Sequence, residues 1–112
     1  MRKMISPHVR VWEFRVSPKA RRKFERVYGP RGEWVRLFKK GKGFLRTDLF
    51  RDEEKRGRYL AVDYWISKGD YKNFRRKFEH EYESLDKRCE SLTTLENSLG
   101  TFNPVTNAKN EK

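Results

Sequence analysis

Apolar and polar residues alternate along several stretches of this chain, the pattern of half-buried β-strands. Residues 8–16 (HVRVWEFRV), 43–51 (GFLRTDLFR) and 58–66 (RYLAVDYWI) show it, and the third is rich in aromatic and β-branched residues that favour strands. A weaker signal over residues 93–102 predicts a short fourth strand, in which Gly100 marks a bulge or bend. The pattern therefore predicts four strands.

Apolar spacings of three and four predict two helical regions between these strands. Ser17-Pro18 begins the first, Gly29-Pro30 interrupts it, and it resumes over residues 33–40 with Gly41 as a C-cap. Ser67 caps the second, which we predict to be one helix of about six turns. Its apolar stripe consists of Tyr71, Phe74, Phe78, Tyr82, Leu85, Cys89 and Leu92.

The resulting β-α-β-β-α-β order predicts a ferredoxin-like α+β fold, a four-stranded antiparallel sheet with helices on one face. The third strand is apolar on both faces, with Ala61 and Trp65 on one and Leu60 and Val62 on the other. The helices can cover only one face. A second copy of the chain is the simplest cover for the other, since identical patches are self-complementary across a two-fold axis. We therefore predict a homodimer with sheet packed on sheet.

Composition is consistent with one domain over residues 1–102 and a flexible polar tail over 103–112. Only 35% of the 112 residues are apolar, but 14% are aromatic, which is enough to build a core. The one cysteine, Cys89, excludes an intrachain disulfide and suits a reducing compartment. No apolar run approaches the ~20 residues of a membrane helix, so we expect a soluble cytoplasmic protein without membrane attachment.

The net charge of +12 makes this a basic protein and would attract polyanions. The positive residues are interleaved with acids along the sequence, which favours solvated helix faces over a binding tract. Nucleic-acid binding is therefore the less favoured interpretation of the charge.

Four segments of this sequence resemble the antibiotic biosynthesis monooxygenase-like group of dimeric α+β barrel proteins. They are VWEFRV, RVYGPRGEWVRLF, KGKGFLRTDLFRD and RYLAVDYWISKGDYKNF. The resemblance covers most of residues 9–102 and implies the same fold and a homodimer. The group includes cofactor-free oxygenases of aromatic polyketides, haem-degrading enzymes and many members of unknown role.

Two of the three elements that haem-degrading members use are missing or displaced. Trp65 matches their Trp at the end of the third strand, but the first strand has no Asn, and His80 lies fifteen residues beyond Trp65. The resemblance thus favours an oxygenase that needs no cofactor and acts on a small aromatic molecule.

Such an oxygenase needs an apolar pocket, a proton acceptor and hydrogen bonds to an anion. Aromatic residues suited to the pocket are Trp12, Tyr28, Trp34, Phe38, Trp65 and Phe74. Aromatic residues at such spacing more commonly pack in the hydrophobic core without binding a ligand. The sequence assigns no catalytic residue and shows no metal-ligand spacing.

Other polar residues leave several interpretations open. His8 could lie at the surface or at a pocket mouth, whereas His80 should face solvent. Glu13 and Asp63 stand inside strands, where pairing with an arginine on a neighbouring strand is favoured over a role as base. Cys89 continues the helical stripe and should be an inert core thiol.

Two other functions compete with the oxygenase. One is a non-catalytic dimeric protein that binds a small ligand. The other is an RNA-binding domain, because KGKGFLRTDLF is similar to an RNA-recognition signature. That signature belongs on the third strand, whereas here it falls on the second.

Overall fold

The computed structural model describes residues 6–105, and this range contains four β-strands and four α-helices. In chain order they are β1 (His8–Arg15), α1 (Arg21–Tyr28), α2 (Glu33–Phe38), β2 (Phe44–Arg51), β3 (Arg58–Trp65), α3 (Lys68–Lys77), α4 (Glu79–Cys89) and β4 (Leu95–Phe102). This is the predicted β-α-β-β-α-β order, with each helical region divided in two. Residues 106–112 of the predicted tail lie outside the described residues.

The strands form one antiparallel sheet in the order β2-β3-β1-β4. Gly100 lies at a β-bulge opposite Val11 and Trp12 with a φ of +124°, as predicted. A second bulge, at the start of β2, was not predicted. Strict alternation placed Phe44 with Arg46 and Asp48, but the bulge turns Phe44 to the helix side, where its ring lies 5.2 Å from that of Trp65.

The prediction of one continuous helix after β3 is wrong, because the backbone leaves helical geometry at Phe78 (φ −113°, ψ 30°). Ser67 caps α3 as predicted, since its hydroxyl accepts a hydrogen bond from the Asp70 amide at 3.1 Å. The break lets α3 pack over Trp65 while α4 places Tyr82 against Trp34, with ring centroids 5.0 Å apart. No glycine or proline marks this position, so no local residue signals the break.

All four helices pack on one face of the sheet, and aromatic side chains fill the layer between. Phe24, Trp65 and Phe74 are less than 2% exposed. Gly41 is not a C-cap as predicted: α2 ends earlier, and a Cβ on Gly41 would lie 2.7 Å from the Phe74 ring. This close approach fixes the loop after α2 against α3.

The opposite face of the sheet is open within residues 6–105 and carries apolar side chains beside paired charges such as Glu13 and Arg58. Strand register places Phe50 beside Leu60, and Phe102 beside Val9, on this face. Phe50 and Phe102 are 50% and 51% exposed. The described helices are too short or too polar to cross a bilayer. The fold is the expected ferredoxin-like α+β arrangement, with one covered and one uncovered sheet face.

Candidate active site

A cavity lies between the covered face of the sheet and the helices. The cavity itself has a volume of about 40 Å³, and the empty space that also includes its open mouth is about 430 Å³. Aromatic rings form its apolar walls, and hydroxyl and carboxyl groups form the rest. The lining residues are Trp12, Phe14, Tyr28, Trp34, Phe38, Thr47, Ala61, Asp63, Tyr82, Asp86 and Glu96.

The structure brings four of the six predicted pocket residues to this cavity: Trp12, Tyr28, Trp34 and Phe38. Trp65 and Phe74 lie behind the wall instead. Their rings contact Phe38 at centroid distances of 5.9 and 5.6 Å, and both are fully buried. Trp65 ends β3 directly beneath α3, so it supports the wall without reaching the cavity.

Asp63 is the most deeply buried carboxyl group at this cavity. It points from β3 to the helix side, is 7% exposed, and accepts a hydrogen bond from the Thr47 hydroxyl at 2.7 Å. The expectation that it pairs with an arginine on a neighbouring strand is wrong, because no salt bridge within residues 6–105 includes it. Burial raises its pKa to about 6, although the Thr47 hydrogen bond and the charge of Arg10 act in the opposite direction.

Two more carboxyl groups line the cavity, Asp86 from α4 and Glu96 from β4. Partial burial raises the pKa of Glu96, and the negative charges of Asp86 and Glu90 add to this effect. The lining contains no lysine or arginine. In a protein of net charge +12, the cavity wall therefore carries only acidic charges.

The cavity also offers hydrogen-bond donors. The indole Nε1 of Trp34 is buried and makes no hydrogen bond of standard geometry among residues 6–105, although it lies close enough to Tyr28 and Cys89 to act on the pKa of each in the lowering direction. A buried donor without a partner costs free energy, which a ligand that accepts its hydrogen bond would recover. Burial raises the pKa values of Tyr28 and Tyr82 above the ordinary range, so both phenols stay protonated at neutral pH.

A stack of arginines and tyrosines flanks the cavity beside Asp63. The Arg10 guanidinium lies 4.0 Å from the Tyr71 ring centroid, and that of Arg75 lies 3.7 Å from the ring of Tyr82. His8 is buried against Tyr71, with ring centroids 5.6 Å apart, so neither sequence interpretation of His8 holds. Burial lowers its pKa, and the charges of Arg10 and Lys68 add to this.

Three other residues, Glu13, His80 and Cys89, lie in the surroundings that the sequence predicted. Glu13 accepts a hydrogen bond from Arg58 at 2.6 Å, which confirms its predicted pairing with a strand arginine. His80 is exposed on α4, as expected. Cys89 is buried in the core, and burial raises its thiol pKa, consistent with an inert thiol.

A wider groove near the β2–β3 turn is a weaker candidate, because four of the seven charged side chains that line it are already in salt bridges. Arg51 donates two hydrogen bonds to Glu25 at 2.9 Å, and these lower the pKa of Glu25 to about 2. Arg58 binds Glu13 and Asp52 at 2.6 and 3.0 Å. These pairs stabilise the turn and are not available to a ligand.

Sequence reasoning did not predict the polar half of the cavity, which comprises Thr47, Asp63, Tyr82, Asp86 and Glu96. The one available signal was Asp63 itself, a carboxyl group at an inward position of an otherwise apolar strand. The described residues contain no group of three His, Cys, Asp or Glu side chains arranged to hold a metal ion.

The fold and this cavity define an α+β protein with a ferredoxin-like sheet and an internal aromatic pocket. The family model for antibiotic biosynthesis monooxygenases matches residues 7–81. The chain therefore belongs to the antibiotic biosynthesis monooxygenase family, as the sequence resemblance implied. No curated protein matches the chain.

Solved structures share this fold at low sequence identity. PA3566 from Pseudomonas aeruginosa superposes with a TM-score of 0.67 and 15% identity, covering 94% of this chain and 100% of its own. SnoaB, a cofactor-independent oxygenase from Streptomyces nogalater, gives 0.62 and 19%, covering 92% and 97%. Rv0793 from Mycobacterium tuberculosis gives 0.62 and 16%, covering 92% and 99%.

Proposed function

We propose that the protein is a cofactor-independent oxygenase that oxidises a small aromatic substrate in the cavity between sheet and helices. Family membership and the likeness to SnoaB, a cofactor-independent oxygenase, support the reaction class. The main support for the proposal is the position of Asp63. This buried carboxyl group lines an aromatic cavity and has no salt bridge among residues 6–105. With a pKa of about 6, it is ionised at neutral pH and can accept a proton.

The proposed reaction starts with transfer of a proton from an acidic C–H or phenol of the substrate to Asp63. The substrate anion then passes electrons to O₂, and a C–O bond forms at the carbon of the acidic C–H, or at the ring carbon para to the phenolate, to give a peroxide anion that takes the proton back from Asp63. Asp63 next removes the remaining hydrogen of that carbon as a proton while the O–O bond breaks, which leaves a carbonyl group, and the departing hydroxide takes this proton from Asp63 and leaves as water. One O₂ is thus consumed, one oxygen atom enters the substrate, and the other leaves as water.

Trp34 is the proposed donor to the substrate oxygen on which negative charge develops. Its N–H makes no hydrogen bond of standard geometry among the described residues, and its ring lines the cavity. A donor placed where charge develops stabilises the transition state more than the ground state. The aromatic walls would hold the substrate ring by stacking.

Oxygen uptake with anthrone, without added flavin or metal, tests the function. We expect turnover by the wild type and a loss of about a hundredfold or more in Asp63→Asn, since general bases contribute that much. Asp86→Asn is the matched control, because it removes a carboxylate from the same lining. Equal losses in both variants would mean that the charge of the lining matters and that Asp63 is not the base.

The two unpaired tryptophans provide a second matched pair. Both Trp34 and Trp65 have a buried Nε1 without a hydrogen bond of standard geometry in the described chain, but only Trp34 lines the cavity. Trp34→Phe should lower kcat with anthrone at least tenfold, whereas Trp65→Phe should retain activity in the folded fraction. The reverse order would place the reaction elsewhere. Binding of anthrone without turnover would instead support a non-catalytic ligand-binding protein.

We also propose that the protein is a homodimer joined through the open face of the sheet. The face carries exposed apolar side chains, including Phe50 and Phe102, and proteins of this family are generally dimeric. Sedimentation should give a dimer for the wild type and a monomer for Val62→Lys, which places a charge on central strand β3. Val105→Lys repeats the same exchange at a residue 96% exposed and should remain dimeric. A monomeric wild type would overturn this proposal.

The cytoplasm is the proposed location. Cys89, the chain's one cysteine, is a free buried thiol, which suits a reducing compartment.

A further inference from the structure

The net positive charge of the chain is confined to two segments. Residues 19–42 contain ten basic and two acidic residues, and residues 68–77 contain five basic and one acidic. The rest of the chain holds thirteen of each, so these segments account for the whole net charge of +12. They form α1, α2, the loop after α2, and α3.

The two segments are neighbours in the helix layer. Tyr28 at the end of α1 lies 6.0 Å from Trp34 of α2, and Phe38 of α2 lies 5.6 Å from Phe74 of α3, measured between ring centroids. Gly41, in the loop after α2, packs directly on Phe74. The outer surfaces of residues 19–42 and 68–77 therefore lie side by side, and we call them together the basic face.

The charges of the basic face are exposed and not neutralised. Of its fifteen lysines and arginines, thirteen are exposed, and none takes part in a salt bridge within residues 6–105. Its two glutamates, Glu25 and Glu33, pair with Arg51 and Arg88, which lie outside both segments. Two of the three acids in these segments thus do not reduce their free positive charge, and the third, Asp70, lies in the first turn of α3.

The other side chains of the basic face indicate which kind of anion this face can bind. None of the exposed large apolar side chains of the described chain lies on α1, α2 or α3. A helix that binds at a membrane surface normally inserts apolar side chains between the lipids. Lysine and arginine spread over a wide polar surface are instead suited to rows of phosphate groups.

We infer that the basic face binds the phosphate backbone of nucleic acid without sequence preference. The interleaving of acids along the sequence favours helices that are merely solvated, but in the folded chain Glu25 and Glu33 pair with arginines outside the two basic segments. Helix α4 and the turn that follows it, residues 79–90, hold five acidic residues against two lysines and arginines, and so bound the basic face on one side. The inference depends neither on the proposed oxygenase nor on the dimer.

Fluorescence anisotropy of the full-length protein with a labelled DNA duplex of arbitrary sequence tests this inference. We expect binding at 50 mM salt and a loss of at least tenfold in the triple variant Lys23→Glu, Lys40→Glu, Lys72→Glu. These lysines lie on α1, on the loop after α2 and on α3. The slope of log K against log salt concentration should also fall by about two to three.

The control is Lys55→Glu, Arg56→Glu, Lys87→Glu, which also lowers the net charge from +12 to +6 but changes exposed residues outside the basic face. It should retain affinity within about threefold, and circular dichroism should show both variants folded. Equal losses in the two variants would overturn the inference, because binding would then depend only on net charge. So would absence of binding to DNA and RNA at 50 mM salt, or binding confined to phosphatidylserine vesicles.

Discussion

The cavity and the basic face have opposite charge, although they lie on the inner and outer sides of the same helix layer. Asp63, Asp86 and Glu96 line the cavity without a lysine or arginine, whereas fifteen basic residues without salt bridges in the described chain form the basic face. The net charge of +12 thus describes the surface and not the site. A protein can attract polyanions over one surface and still keep a proton-accepting carboxylate in an acidic pocket a few residues away.

Salt should separate the two regions most strongly. Raising the salt concentration from 50 to 200 mM should weaken binding of a DNA duplex by about a thousandfold if the basic face makes about six or more phosphate contacts. Oxygen uptake with uncharged anthrone should change by less than about twofold, because buried interactions are screened little. Parallel titrations of anisotropy and oxygen uptake measure both effects. A parallel loss of activity would contradict the separation of the two regions.

The free energy of unfolding should depend on pH through Asp63. Its pKa is about 6 in the fold against an ordinary 3.8, so between these values the folded chain holds more of this proton than the unfolded chain does. This group therefore lowers stability as pH rises from about 4 to 6. Relative to wild type, Asp63→Asn should become more stable by on the order of 2 kcal/mol between pH 4 and 7. Urea unfolding across that range measures it, and a constant difference between variant and wild type would refute the raised pKa.

The rate of the proposed reaction should follow the same carboxyl group. The value of kcat/KM for anthrone should fall below pH 6, to about one tenth at pH 5, because the protonated acid accepts no proton. We call this fall in rate at low pH the acid limb of the profile. Any residual activity of Asp63→Asn should not show it. A pH profile of oxygen uptake from pH 4.5 to 8 decides the point, and a limb retained in the Asn variant would assign it to another group.

Arg10 should have the smallest of these effects. Its charge favours the ionised form of Asp63, so Arg10→Met should move the acid limb upward by about half a pH unit. Arg15→Met is the matched control, because it removes the same charge from β1 on the opposite face of the sheet. Equal shifts in both variants would indicate an effect of net charge only.

Much of the fold followed from local pattern. The burial of Tyr59, Ala61 and Trp65 on the helix side of β3 obeys the alternation seen in the sequence. The break at Phe78 and the bulge before Arg46 were missed, because tertiary packing sets both and no local residue marks them. Of the six aromatic residues predicted for the pocket, four line the cavity, whereas Trp65 and Phe74 only support its wall.

The amino-acid sequence by itself determined the order of the elements, the apolar face of each and the family, since these depend on periodicity and short motifs. Only the tertiary structure decided that Asp63 faces Thr47, sixteen residues away, and that the two basic segments lie side by side in the helix layer. The reason is that the pKa of a carboxyl group and the free charge of a surface depend on what lies within a few ångströms in space. Distance along the chain does not determine those neighbours.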